Sequence, residues 1–353
     1  MLKINDTINK FYLFIIFVLL GITPVSSSEC RDITKLIVGE YIVDVAYSNG
    51  EYYMLSNHGH LLSTESGESW RVEAISDVRV SNFKGIASIN NELIAINSFG
   101  RIYQRLNGIW TLIYKDGSIR LNKIISNNSK YIIVGAQRGK LHVIEFETLN
   151  VNQVTSHTFN EINAGPLPIT PSVVNNGFYI SLGEKMLRQE QASSEWVMDD
   201  KFPIGLGIFA QHREMMALVT VSGNISIKKS HIDQWEIISN ISAGSVHDFI
   251  WSGKNYVIAG SCGTLSYSDD GISWGNVAIK ETTTMKALGS GGNYLFAVGE
   301  DSLPDEDGIS AVVLVSTNGK TWKDISLLVR GVLEDFRSTT GRNENRRGSE
   351  GVN

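Results

Sequence analysis

The sequence predicts an all-β chain folded as a seven-bladed β-propeller of four-stranded antiparallel blades. Three observations carry this. One turn followed by a tryptophan is written three times, as "LLSTESGESW" at 61–70, "SYSDDGISW" at 266–274 and "LVSTNGKTW" at 314–322. Tryptophans in that position recur at a near-constant interval. Between them lie short apolar runs rich in Ile, Val and Tyr and bounded by Gly and Asn, which read as strands, while no stretch of helical length and period stands out.

The interval comes first. Trp70, Trp110, Trp196, Trp235, Trp274 and Trp322 are separated by 40, 86, 39, 39 and 48 residues, and 86 is two units of 43. One unit has therefore lost its tryptophan near Thr148, and Trp251 is out of phase and belongs to another strand. Seven units of about 40 to 45 residues signal a propeller or a solenoid. The inside of each unit decides between them. The first reads "YIVDVAYSNG", "EYYMLSNHG", "HLLSTESG", "ESWRVEAIS", and the second "FKGIASINN", "ELIAINSFG", "RIYQRLNG", "IWTLIYKDG". Gly59, Gly100, Gly139, Gly223 and Gly263 recur at one position, with Gly183 a looser match. Four strands in seven units make a propeller. Radially stacked sheets are buried on both faces, so many strands are apolar throughout rather than alternating.

The ends lie outside this repeat. Lys3 and Lys10 precede an apolar run at 11–22, then Pro24 and the small residues Val25, Ser26, Ser27 and Ser28. That order predicts a signal peptide over residues 1–28, with an uncleaved anchor as the alternative; a membrane is met only transiently, through this segment. Glu29 before Cys30 argues against lipidation. The propeller domain is expected over residues 29–336, and residues 337–353, almost free of apolar side chains, are expected as a disordered tail. The copy of a fourth strand at 30–36, "CRDITKL", pairs with the last blade and clasps the ring or lies outside it. Cys30 and Cys262, the two cysteines, either pair in an oxidising compartment or are independent thiols. The net charge of −6 and the lack of a polybasic run within the folded part exclude a nucleic-acid partner. Asn127, Asn224 and Asn240 head N-x-S triplets, which matter only in a eukaryotic secretory pathway.

The repeated turn now becomes nameable. Ser63, Glu65, Gly67, Ser69 and Trp70 fit S-x-D-x-G-x-T-W, with Glu65 as the acid. Ser268, Asp270, Gly271 and Trp274, and Ser316, Asn318, Gly319 and Trp322, read as versions one residue shorter. The pattern resembles the Asp-box, or BNR repeat, of sialidase-like propellers and of photosystem II assembly-factor-like proteins. Glycine supplies the positive φ of a tight turn, and a short acid, amide or hydroxyl accepts its backbone N–H groups. The resemblance implies a structural turn between third and fourth strands, on the face opposite the usual binding face.

Chemistry is read as absent. Sialidases carry a cluster of three arginines for a sugar carboxylate and an Arg-Ile-Pro-like element. None of Pro24, Pro166, Pro168, Pro171, Pro203 and Pro304 follows an arginine by two residues. There is no H-x-x-x-H, C-x-x-C or G-x-S-x-G. His247-Asp248 reads as a surface hydrogen bond at a strand start. The acidic run at 300–308 offers Asp301, Asp305 and Asp307 to calcium, against a solvated acidic loop. No catalytic residue, cofactor or metal ligand is assigned. The expected function is a secreted or periplasmic, non-catalytic scaffold for a protein partner; the alternative is a carbohydrate-binding or glycan-hydrolysing propeller. Specificity is expected on the connections between second and third strands. The recurring glycine places His58, Phe99, Arg138 and Glu184 there, with Ser222 and Cys262, and Arg101 and Arg105 offer further positive charge. Two connections, at 150–171 and 300–308, read as longer than the repeat requires.

Overall fold

The computed structural model describes residues 39–75, 82–147, 154–164, 169–182, 185–189, 195–199, 207–229, 234–241, 244–303 and 308–349. Seven four-stranded antiparallel sheets follow one another, each a meander of sequence-consecutive strands. In the first blade these are Ile42–Ser48, Glu51–Ser56, His60–Thr64 and Arg71–Ala74. The inner strands of the seven blades are Ile42–Ser48, Phe83–Ile89, Ile119–Ser126, Thr170–Val174, Gly207–His212, Val246–Trp251 and Thr283–Gly291. Each touches the next in order, and the last touches the first. The chain is a closed seven-bladed propeller.

Packing explains why the strands are apolar on both faces. Each wedge between neighbouring blades holds its own core. Leu55 and Leu61 of blade 1 meet Ile86 and Leu93 of blade 2, Ile94 and Ile96 of blade 2 meet Tyr131 and Ile144 of blade 3, and so on round the ring. The repeat tryptophans line six of these wedges: Trp70, Trp110, Trp196, Trp235, Trp274 and Trp322 each pack, half-buried, between their own blade and the one before. The seventh wedge, between blades 2 and 3, takes Val154, just beyond the point where the repeat loses its tryptophan. Each such aromatic contributes apolar area without needing full burial.

Closure includes an element that the sequence reading did not contain. Among the described residues, blade 7 consists of its own four strands, the last only Lys323–Asp324. A helix, Ser326–Ser349, then takes over. It starts where Asp324 Oδ1 accepts the Ser326 N–H at 2.8 Å, a short acid capping free donors. Val329 and Leu333, one helical turn apart, enter the wedge between blades 7 and 1 beside Tyr52, Met54, Phe296 and Val313. Phe336 sets its ring edge-on to His60, centroids 5.3 Å apart. The Tyr52 hydroxyl of blade 1 meets the Gly291 and Tyr294 carbonyls of blade 7 across the same seam. The backbone of residues 337–349, expected as a disordered tail, continues this helix. The signal-peptide region and the strand copy at 30–36 lie outside the described residues. Cys262 is disulfide-bonded, which removes the free-thiol alternative for it; Cys30 lies outside the described residues.

Both long connections shrink on inspection. The stretch at 150–171 contains the outer strand of blade 3, Thr155–Asn163, and the first residues of blade 4. The acidic run is largely strand: Tyr294–Leu303 and Gly308–Ser316 form a long hairpin in blade 7. Asp301 accepts the Thr282 hydroxyl at 2.6 Å, and Glu300 pairs with Lys286 at 2.7 Å. Asp305 and Asp307 lie outside the described residues.

Candidate functional site

A meander repeated seven times sorts its turns onto two faces. The turns between second and third strands share one face with the connections between blades. The Phe83 and Asn82 N–H groups, for example, both reach the Asn57 carbonyl in the blade 1 turn. The third-to-fourth turns lie on the other face.

On that other face the three repeated turns bond to themselves. In blade 6, Asp270 Oδ1 accepts the N–H groups of Ile272 and Ser273, both at 2.8 Å, and the Ser268 hydroxyl at 3.0 Å. The Gly271 N–H goes to Ser268 Oγ at 2.8 Å, and Trp274 Nε1 donates to the Gly271 carbonyl at 3.1 Å. The Ser273 N–H bond above all, with those from Ile272 and Ser268, draws the Asp270 carboxyl below the usual carboxylate range against the opposing effect of burial. Blade 7 repeats the geometry with an amide: Asn318 Oδ1 accepts the N–H groups of Lys320 and Thr321 at 2.9 Å each, and Trp322 Nε1 donates to the Gly319 carbonyl at 3.0 Å. In blade 1 the hydrogen bonds shift the assignment by one residue. The Gly67 N–H goes to Thr64 Oγ1 at 2.8 Å rather than to Ser63, and Ser66, not Glu65, accepts the Glu68 N–H at 3.4 Å. Glu65 is exposed, and Ser63 accepts instead from Arg71. Thr64, Ser66, Gly67 and Trp70 thus match Ser268, Asp270, Gly271 and Trp274, and the three turns have one length. At Gly271 the φ of +72° is one that side chains rarely adopt, so a substitution there is strained, and a Cβ would also have to displace the end of the Met215 side chain of the previous blade, 3.1 Å away.

The opposite face has less internal commitment. Phe99 is 54% exposed. The buried Asn97 side chain holds its turn, accepting the N–H groups of Phe99 at 3.1 Å and Arg101 at 3.2 Å, so the aromatic ring is not needed to shape the backbone. Arg138 is exposed, at a left-handed φ of 49°, in the turn of blade 3. His58 is half-exposed, its Nδ1 4.0 Å from Glu40 Oε2. Blades 1, 2 and 3 are consecutive, so His58, Phe99 and Arg138 share one sector of the face. Arg101 begins the third strand of blade 2 on this face, whereas Arg105 turns to Glu73 of blade 1, 2.6 Å away. Glu184 lies outside the described residues. Ser222 is occupied with Thr220, 3.0 Å away.

At the centre, the inner strands of all seven blades enclose a cavity of about 680 Å³. Its charged lining went unrecognised in the sequence. Asp44 accepts the N–H of Val45 at 2.9 Å and of Ile86, in blade 2, at 3.0 Å. Asp248 does the same for Phe249 and for Leu288 of blade 7, at 2.9 and 2.8 Å. Lys123 lies 3.8 Å from Asp248. Burial pushes Asp44 up to about 7, against the pull of Lys123 and the Ile86 N–H. His247 and Asp248 are therefore no surface pair: Asp248 staples two blades, and burial, then Lys286 and Lys123, hold His247 down at about 4. The sequence signal was there, as an acid inside each of two otherwise apolar inner strands, "IVDVAY" and "VHDFIW". Both carboxyl groups accept backbone N–H groups with both oxygens and so cross-link neighbouring inner strands. Towards the far end the lining bonds blade to blade, Ser88 Oγ to the Tyr47 carbonyl at 2.8 Å and Ser126 Oγ to the Ser88 carbonyl at 3.0 Å. Among the described residues no group of three His, Cys, Asp or Glu side chains is arranged to hold a metal ion.

No protein-family model matches the chain, and no curated protein matches its sequence. Solved structures do match its shape. YCF48 from Cyanidioschyzon merolae superimposes with a TM-score of 0.58 at 13% identity, over 80% of this chain and 97% of that one. YCF48 bound to a D1 peptide gives 0.56 at 13% identity, over 76% and 93%. PorZ, a surface component of the type-IX secretion system of Porphyromonas gingivalis, gives 0.51 at 11% identity, over 82% of this chain and 46% of that one. At these identities the likeness is one of fold: the chain shares the β-propeller architecture of these proteins.

Proposed function

We propose that the chain is a secreted or periplasmic, non-catalytic propeller that holds a protein partner on the face of its second-to-third-strand turns. The observation that carries this is the contrast between the two faces. The third-to-fourth turns, which we read as Asp-box turns, spend their polar side chains on their own backbone. Across the ring, Phe99 and Arg138 stand on adjacent blades, exposed, and among the described residues neither side chain has a bonding partner. Exposed aromatic and arginine side chains are both enriched at protein interfaces. YCF48 bound to a D1 peptide supplies a propeller of similar architecture that carries a polypeptide ligand, and supports the same class of ligand here.

The test is capture of partners from the native envelope or secretome by the purified chain, followed by the Phe99→Ala/Arg138→Ala double variant. Stability should stay within about 1 kcal/mol, as for surface substitutions in general, while capture weakens. Asp270→Ala is the control, expected to trim stability and to spare the partner in whatever protein remains folded. Partner lost on Asp270→Ala and kept on the double variant would move the site to the other face.

A further inference from the structure

Five of the inner strands share an irregularity. Pairing with the second strand slips by one residue at Val43, Lys84, Asn122, His247 and Lys286, so each is the extra residue of a β-bulge near the start of its strand. Bulges re-aim side chains and are common beside functional sites. Three of the five are basic: His247 in blade 6, Lys286 in blade 7 and Lys84 in blade 2. They sit where inner strands leave the inter-blade connections, on the rim of the central channel and on the proposed binding face. Between blades 7 and 2, Tyr41 precedes the inner strand of blade 1 and places its ring 5.7 Å from Lys286 Nζ.

These charges are unequally answered. Lys286 has Glu300 at 2.7 Å, and Lys123, deeper in the channel, has Asp248 at 3.8 Å. Lys84 is half-buried and forms no ion pair among the described residues. Burial, then the neighbouring Lys286, pull it below the usual lysine range, with Glu300 opposing. An ammonium group held partly out of water beside a second one is disfavoured until an anion joins it. His247, kept neutral at ordinary pH, adds a hydrogen-bonding group without adding charge.

We propose that Lys84, Lys286 and His247 form a rim site for carboxylate side chains of an acidic segment of the protein partner. The class of partner rests on the function proposed above; the site does not. The groups are strung one to a blade along an arc, two lysine point charges and one neutral imidazole donor, without an arginine fork. That arrangement suits several separate carboxylates rather than one multiply charged group.

Fluorescein-labelled hexaglutamate, titrated with the purified chain and followed by anisotropy, tests the site without any natural partner. Binding is expected at low ionic strength and should weaken with added salt. Lys84→Gln should weaken it about tenfold, the cost of one charge-assisted contact, and Lys84→Arg should largely restore it. Lys320→Gln, on the opposite face, should leave it unchanged. Equal binding of hexaglutamine, equal loss from Lys84→Gln and Lys320→Gln, or an unchanged affinity in a folded Lys84→Gln protein would each overturn the proposal. Capture that fails in the envelope experiment while hexaglutamate still discriminates Lys84→Gln would count against the partner reading alone.

Discussion

Leu333→Ala is the sharpest test of how the ring closes. The side chain is 1% exposed and packs with Val329, itself 0% exposed, into the wedge between blades 7 and 1. Emptying a buried leucine site costs the transfer free energy of the lost methyls and a cavity term, about 3 kcal/mol here, since Tyr52, Met54 and Phe296 are fixed by their own strands and the site cannot collapse. The same helix carries its own control. Leu327 is 80% exposed, and Leu327→Ala should stay within about 0.5 kcal/mol of the parent. The assay is urea unfolding followed by tryptophan fluorescence, with the slope of the transition unchanged so that the midpoints report stability. Removing residues 326–353 altogether should exceed the single substitution, because Val329 leaves the same wedge. If Leu333→Ala matches the parent within about 0.5 kcal/mol, or if Leu327→Ala costs as much as Leu333→Ala, the helix does not close the ring and the argument fails.

Three further substitutions probe the turns and the channel. Asp270→Ala should cost about 1 kcal/mol, the usual loss when a carboxylate holding free backbone donors is removed; Asp270→Asn should recover most of it in urea unfolding, because Asn318 performs the same task in blade 7. Trp274 is half-buried, so Trp274→Ala should cost about 2 kcal/mol, below the range for a fully enclosed aromatic, and Trp274→Phe about 1 kcal/mol through the lost bond to the Gly271 carbonyl; an unchanged melting temperature for the alanine variant would remove the tryptophan from the wedge. His247 has its folded pKa near 4, below the value of about 6.5 for an unfolded histidine. Its contribution is fully present above pH ~6.5 and lost as the pH falls towards 4, by up to about 3 kcal/mol. His247→Gln should therefore gain stability relative to the parent at pH 5 compared with pH 8, and a difference that does not change with pH would refute the assignment.

Periodicity made the ring legible because each blade is the same packing problem. A sheet buried on both faces needs apolar strands, a glycine or asparagine at each turn and one aromatic per wedge, and those needs repeat about every 40 residues. What breaks the period was hidden. The closing helix was missed because its inward positions, the buried Val329 and Leu333 and the half-buried Phe336, follow the i, i+4, i+7 spacing among exposed leucines at 327 and 328, with Gly331 between them. Only the wedge says which leucines matter. The offset in blade 1 was missed for a related reason: Ser63 and Thr64 are both hydroxyls, and Glu65 and Ser66 can both accept a turn N–H, so composition leaves two registers that hydrogen bonds alone separate.

The channel charges follow the same rule and bear on where a ligand goes. An aspartate in an apolar strand is unfavourable unless its oxygens are answered, and at Asp44 and Asp248 the answers are N–H groups of the next blade. No sequence window contains both partners, because Asp44 and Ile86 are a blade apart. Those two carboxylates are thereby used up in holding neighbouring inner strands together. The bulged residue immediately before Asp248 is His247, the one before Asp44 is Val43, and Lys84 and Lys286 occupy the corresponding slips in blades 2 and 7. In blades 1 and 6 the residue that pairs again after the slip, Asp44 or Asp248, binds blade to blade, while the extra residue of each slip is released from the ladder: Val43 packs into the core between blades 1 and 2, and Lys84, His247 and Lys286 are polar groups free of that pairing. A ligand-binding group is therefore better sought at the extra residue than at the staple beside it, which is why the rim, and not the acids below it, is the place to look for a partner's contact.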